Sequence, residues 1–271
     1  MNVCFNGEFF PAHQPLVNVQ NASYKWGDGV FETMRVFNGK LLLQTYHFER
    51  LFASLQLLQI DASNSFTKEK LLDDIQQLCT INQCGESARV RLAVYRNDDT
   101  TAGYSIEATP LDNKINAWDE QGLIIGLHPY VRKTTDAFAN IKSASFLPYV
   151  LAKKYAEERK LDDVLVLNVH NKLCDSSRAN LFLIKEDTVF TPALHQGCVN
   201  GVMRRKTIEI IKQLRFRFYE EEVSEDLLLQ ADEVFLTNAI QTIRWVQHYK
   251  DRQYNSSLTR KIFDKLSATI Y

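Results

Sequence analysis

Between Leu111 and Gln121 the chain loses both of the periodicities that build secondary structure. Apolar residues recur there neither at every second position nor at every third to fourth, and Pro110, Asp112, Asn113, Lys114 and Asn116 favour turns. A segment that cannot join a core divides the fold, so each flank must bury its own apolar surface. The boundary falls at 115/116, with a smaller N-terminal α/β domain over 1–115 and a larger C-terminal domain over 116–271. At 271 residues and 45% hydrophobic, the chain has enough apolar material for two such cores.

Before the boundary, Phe48, Leu51, Phe52, Leu55 and Leu58 follow Thr45 at helical spacing, and Leu71, Leu72, Ile75 and Leu78 follow Thr67 in the same way. Ala88 to Tyr95 reads as a strand, and the polar run Arg96-Asn97-Asp98-Asp99-Thr100-Thr101 as a loop. Trp26-Gly27-Asp28-Gly29 reads as a tight turn into a strand through Val36, which Asn38-Gly39 folds back as a hairpin. Beyond the boundary, 123–127, 164–169, 181–184 and 233–237 predict strands, and 148–160, 201–214 and 224–230 predict helices, with Pro148 tolerable in a first turn. Strands and helices mixed in both halves define an α+β fold.

Lysine and arginine number 32 against 33 acidic residues, so a formal charge of -1 gives no reason to expect a nucleic-acid or anionic-membrane partner. Five scattered cysteines without C-x-x-C spacing indicate neither a disulfide framework nor a zinc cluster, and a reducing compartment is expected. The start lacks a basic segment followed by an apolar one, and no run of about 18 apolar residues occurs. A cytoplasmic protein is the expectation. The six histidines lack metal-ligand spacing, so no metal is expected, and neither a Walker loop nor a dinucleotide fingerprint is present.

The chemistry concentrates after the boundary. Lys142, in Asn140-Ile141-Lys142-Ser143-Ala144-Ser145-Phe146, stands among small and apolar residues, where desolvation frees an amine to attack a carbonyl. Asp175, in Leu173-Cys174-Asp175-Ser176-Ser177-Arg178-Ala179-Asn180, offers a carboxylate that could hold the ring nitrogen of a pyridoxal cofactor protonated. In Val199-Asn200-Gly201-Val202-Met203-Arg204 a glycine opens a helix whose free N–H groups can bind phosphate. Arg50, at the edge of an apolar helix face, can reach a buried phosphate bidentately. Each has an ordinary reading as well: a solvated lysine, a plain loop-to-helix turn, a surface arginine.

In this order, Gly-Asp-Gly-Val-Phe-Glu, His-x-x-Arg-Leu, Ile-Lys-Ser, a carboxylate five residues before Asn-Leu-Phe, Gly-Val-Met-Arg, and Ala231-Asp232-Glu233-Val234-Phe235-Leu236-Thr237-Asn238-Ala239 span roughly residues 2 to 250. The chain resembles the class IV (fold-type IV) aminotransferases, which include branched-chain and D-amino-acid aminotransferases and 4-amino-4-deoxychorismate lyase. The resemblance implies a two-domain fold with the active site at the domain interface, a homodimer, and pyridoxal 5'-phosphate as cofactor. It implies that Lys142 bonds the cofactor and that Asp175 faces its ring nitrogen. Phosphate binding is assigned to Arg50, the backbone amides of Val202 and Met203, and the Asn238-Ala239 turn.

Asp175 departs from the glutamate usual in the family and is one methylene shorter. Thr100 to Ser105 stands where D-amino-acid aminotransferases resemble one another in an Arg-x-His clamp, and lacks it. Val199 to Arg204, Gly103-Tyr104-Ser105 and Thr237-Asn238-Ala239 resemble the lyases, whereas Glu32 is common to the transaminases. The reading is therefore a lyase that converts 4-amino-4-deoxychorismate to 4-aminobenzoate and pyruvate. The alternative is an aminotransferase acting on branched-chain or other amino acids with 2-oxoglutarate. Both take a small-molecule amine. Tyr104, Arg96, Tyr149 and Trp245 could offer aromatic and cationic contacts to a cyclic carboxylate.

Overall fold

The computed structural model describes residues 1–62, 66–97 and 101–271, so positions 98–100 of the polar run lie outside the described residues. The chain divides into two compact units, 1–115 with 141–146, and 116–140 with 147–271. The sequence reading puts Lys142 in the second domain, but segment 141–146 belongs to the first unit. Backbone hydrogen bonds explain this: Phe31 N–H donates to Lys142 O, Ala144 N–H donates to Gly29 O (both 2.9 Å), and Val30 bridges Ser143.

The first unit contains β1 (Asn2–Phe5), β2 (Glu8–Pro11), α1 (Ala22–Trp26), β3 (Gly29–Phe37), β4 (Lys40–Leu41), α2 (Gln44–Leu57), α3 (Lys68–Ile81), β5 (Ser87–Arg96) and β6 (Ala102–Pro110). Its strands form one antiparallel sheet in the order β2-β1-β6-β5-β3-β4. Alternation along the strands does the sorting. Val30 and Met34, Val90, Leu92 and Val94, and Tyr104, Ile106 and Ala108 pack in one core with Phe48, Leu51 and Leu55 of α2 and Leu71, Ile75 and Leu78 of α3. The intervening residues Phe31, Thr33, Arg89 and Arg91 fall on the other sheet face. Asn38 and Gly39, at φ 48° and 73°, make the left-handed two-residue turn that returns β3 into β4, as their dipeptide predicts.

The second unit contains β7 (Leu123–Lys133), α4 (Leu147–Glu158), β8 (Asp163–Asn168), β9 (Leu173–Ser176), β10 (Asn180–Lys185), β11 (Thr188–Pro192), α5 (Val202–Gln213), β12 (Arg217–Glu221), α6 (Glu225–Gln230), β13 (Glu233–Asn238), β14 (Thr242–Tyr249), β15 (Arg252–Gln253) and α7 (Ser257–Ile270). The sheet order β12-β11-β10-β13-β14-β7-β8-β9 carries one further pairing, β9 with β10. Six strands thereby close into a ring, and the closing pair is Asp175 opposite Asn180. Strands β8 and β10 are buried on both faces, so they read as unbroken apolar runs. Strands β9, β11 and β14 and the helix α7 escape the periodicity reading. No helix among the described residues is long and apolar enough to cross a membrane.

Candidate active site

Glu32 of β3 points toward α2, where His47 and Arg50 sit one turn apart on the same helix face. Arg50 donates Nε to Glu32 Oε1 at 2.7 Å and Nη2 to Oε2 at 2.5 Å, while His47 Nδ1 lies 2.6 Å from Oε2. Burial pushes the Glu32 carboxyl up, but the Arg50 guanidinium and the His47 hydrogen bond outweigh it and hold the group at about 2. Burial also lowers His47, which is neutral at pH 7 and gives Nδ1–H to Glu32. Its Nε2 is buried without a hydrogen-bond partner among the described residues.

A carboxylate depressed from 4.5 to about 2 on folding contributes stability that is fully present above pH 4.5 and is lost as pH falls from there toward 2. The contribution is about 3 kcal/mol at neutral pH. Urea unfolding measured across this window is expected to show a steep loss in the wild type and a shallower one in Glu32→Gln; equal slopes would contradict the assignment.

The opposite sheet face carries a second group of the first unit. Lys142 Nζ lies 4.5 Å from the ring centre of Phe31 and 5.2 Å from that of Phe146, and the two rings meet edge-to-face at 5.1 Å. The Arg91 guanidinium stands 4.9 Å from the same Phe31 ring centre. Its pairing with Glu107 at 3.3 Å is partly exposed and therefore weak. Thr33 is its cross-strand neighbour.

Two expected substrate contacts are overturned by burial and by commitments elsewhere. Tyr104 lies on the core face of β6, its hydroxyl donating to Asp74 at 2.6 Å. Arg96 gives its N–H groups to Asp28 at 2.7 and 3.4 Å and to the carbonyls of Leu58 and Gln59 at 2.7 and 2.8 Å. Both are structural ties of the first unit. Trp245 likewise stacks on Trp118 and donates Nε1–H to Asp119 O.

In the second unit Asp175 is fully buried at the closing point of the strand ring. Oδ2 accepts from the Tyr149 hydroxyl of α4 at 2.7 Å and from Val199 N–H at 2.9 Å, and Oδ1 accepts from Asn180 Nδ2 at 2.9 Å. Lys133 Nζ, at the end of β7, lies 3.7 Å from Oδ2. A carboxylate presents about four acceptor positions, so three hydrogen bonds leave one on Oδ1 for a further donor. Tyr149 is therefore a partner of Asp175, which the sequence reading did not foresee.

Asn180 also donates to Val199 O at 2.8 Å, and this places its side chain against Gly201. A Cβ built on Gly201 would lie 1.9 Å from Asn180 Oδ1. Gly201→Ala must therefore expel Asn180 and strip Asp175 of a donor. We expect it to weaken cofactor binding by about tenfold or more, the equivalent of one lost buried hydrogen bond of roughly 1.5–3 kcal/mol to a charged group. Titration of apoprotein with pyridoxal 5'-phosphate measures this, and an unchanged affinity would contradict it.

Gly201 also precedes α5, whose first turn has no side-chain cap, so the N–H groups at Val202 and Met203 are open to an anion. Asn238 Oδ1 accepts from Ile240 and Gln241 N–H and so shapes the turn holding Ala239. Thr237, opposite Asn180 in the sheet, has a buried hydroxyl with no partner among the described residues. An open acceptor position on Asp175, an uncapped helix start and an orphaned hydroxyl fit the ring nitrogen and phosphate of pyridoxal 5'-phosphate.

Within the second unit, a caged carboxylate and an anion-ready helix start suit a pyridoxal-phosphate enzyme. The amino-transferase class IV family model matches residues 29–249, and the chain belongs to that family. It is 26% identical over 248 residues to D-alanine aminotransferase of Bacillus licheniformis, covering 88% of this chain and 84% of that one. It is 29% identical over 241 residues to aminodeoxychorismate lyase of Vibrio harveyi, covering 84% and 85%. In fold it is similar to the branched-chain aminotransferase of Thermoproteus uzoniensis solved with norvaline, at TM-score 0.89 and 24% identity, over 100% of this chain and 94% of that one.

Proposed function

We propose that the enzyme is a lyase releasing pyruvate from 4-amino-4-deoxychorismate. The observation that carries this reading is the Phe31 floor, flanked by the Lys142 amine and the Arg91 guanidinium. The two cations are no further apart than the sum of their distances to that ring, and a flat apolar surface beside a guanidinium suits a cyclic amine bearing a carboxylate. The similarity to the Vibrio harveyi lyase supports the same choice.

When bound, the cofactor supplies an aldehyde that bonds amines and a ring that withdraws electrons from the amine-bearing carbon. Lys142 would hold the cofactor through its amine, and the same amine, once free, would serve as the base that takes the proton from the amine-bearing carbon. Asp175 would accept the ring N–H, and Arg50, the start of α5 and the turn at Ala239 would bind phosphate. Arg91 receives a substrate carboxylate and orients the ring on Phe31. Loss of that proton and cleavage of the bond between the ring carbon and the ether oxygen would aromatise the ring and expel enolpyruvate, whose methylene carbon takes up a proton, returned by Lys142 or by solvent, to give pyruvate.

The second reading is a transaminase, favoured by Glu32, which the chain shares with that branch. Incubation with aminodeoxychorismate and no keto acid is expected to yield pyruvate and 4-aminobenzoate. Glutamate formation from an amino acid and 2-oxoglutarate, with no turnover of aminodeoxychorismate, would overturn the lyase reading. In Arg91→Ala, KM is expected to rise by about 10-fold or more, the loss of one charge-assisted contact of roughly 1.5–3 kcal/mol, with kcat less affected. A KM unchanged in that variant would remove Arg91 from the substrate. We also propose a homodimer, supported by the exposed apolar residues Leu147, Val150 and Leu151 on α4; light scattering tests it.

A further inference from the structure

Lys133 is the least expected residue beside Asp175. It ends an exposed-and-buried strand, yet its side chain is buried, and its ammonium donates to Ala139 O at 2.9 Å and lies 5.1 Å from the Tyr149 ring centre as well as 3.7 Å from Asp175 Oδ2. A buried ammonium is costly unless something nearby needs its charge. Asp175 does: it is removed from water, and the groups hydrogen-bonded to it, the Tyr149 phenol, the Val199 amide and the Asn180 amide, are all uncharged.

We infer that Lys133 is a positioning residue that keeps Asp175 ionised, so that the proton shared between Asp175 and the cofactor's ring nitrogen resides on the nitrogen. The inference rests on the reading that Asp175 faces that nitrogen. The charge argument follows from distance. Lys133 sits against the carboxylate, so a proton on Asp175 lies closer to the ammonium than one passed on to the ring, and the like charge drives it outward. The other titratable groups packed on Asp175 do not compete. Burial holds the Tyr149 phenol and the Cys174 thiol well above their usual ranges and pushes the Cys198 thiol up to about 12, so all three stay neutral. Burial likewise pushes Asp175 itself up, and Lys133 is the largest opposing influence. The shorter aspartate, in place of the family's usual glutamate, thus comes with a cation behind it.

The test is the 15N chemical shift of ring-labelled pyridoxal 5'-phosphate bound to four proteins. The wild type and Lys133→Arg are expected to give a pyridinium signal. Lys133→Gln, which keeps a donor for Ala139 O and loses only the charge, is expected to shift toward neutral pyridine. A full pyridinium signal in Lys133→Gln, with that signal lost in Asp175→Asn, would overturn the role of Lys133 alone. A pyridinium signal that survives Asp175→Asn would overturn the placement of Asp175, and the inference with it. Infrared titration of the apoproteins needs no bound cofactor. The protonated-carboxyl band removed by Asp175→Asn is expected to appear at higher pH in Lys133→Gln than in the wild type, and an identical titration would count against Lys133.

Discussion

In Lys142→Ala, turnover of the physiological amine is expected to fall by about 10²–10⁴-fold or more, since the variant loses a positioned acid–base group along with the covalent attachment. The effect should be chemical and not structural. Lys142 is half-buried, and its backbone carbonyl accepts from Phe31 N–H of β3, a bond that alanine preserves. Pyridoxal 5'-phosphate should still bind, but borohydride should no longer trap it on the protein. Mass spectrometry of peptides from the reduced enzyme decides the matter. Trapping on Lys142 in the wild type and on no residue in the variant is the expected pattern. Trapping on Lys133, the buried lysine beside Asp175, would overturn the assignment.

The largest structural effect is expected from Glu32→Ala. Glu32 is the common partner of Arg50 and His47, and its loss leaves a guanidinium with 11% side-chain exposure and an imidazole with 1% facing an apolar core. Breaking a buried pair by removing one partner costs about 3–5 kcal/mol, a large part of the roughly 5–15 kcal/mol that stabilises an ordinary domain. Urea unfolding should register a loss of that size. Glu32→Gln, which retains an acceptor but no charge, should lose less. Cofactor affinity should fall in both, because Arg50 is no longer held in one orientation. A loss under about 1 kcal/mol in Glu32→Ala would show that the triad contributes little to the fold.

Legibility in the sequence tracked locality. Helices α2 and α3, the Asn38-Gly39 turn and the apolar strands β8 and β10 were readable because each depends on spacing or backbone preference within a few residues. Helix α5 was readable for the same reason, since Gly201 and the apolar pattern after it lie in one stretch. Tyr104 and Arg96 were misread because side-chain type does not reveal which sheet face a residue takes or which carbonyls await it. Tyr104 turns to the core face with Ile106, and Arg96 meets the end of α2 and Asp28. Arg91 could have been found from strand alternation, which puts it on the face opposite Val90 and Leu92. Lys133 could not, because a lysine ending a strand is ordinarily solvated.

Six motifs in order along the chain, from Gly-Asp-Gly-Val-Phe-Glu to the segment ending in Asn238-Ala239, already pointed to the family and, through that resemblance, to the cofactor. Tertiary structure alone decided their electrostatic company. Strand register sets Asp175 opposite Asn180, β7 ends with Lys133 behind that carboxylate, and β3 against α2 joins Glu32 to residues 15 and 18 positions away. The reason is physical: a charge removed from water takes its protonation state from whichever groups the fold brings within a few ångströms, and strand pairing brings together residues that no local spacing connects.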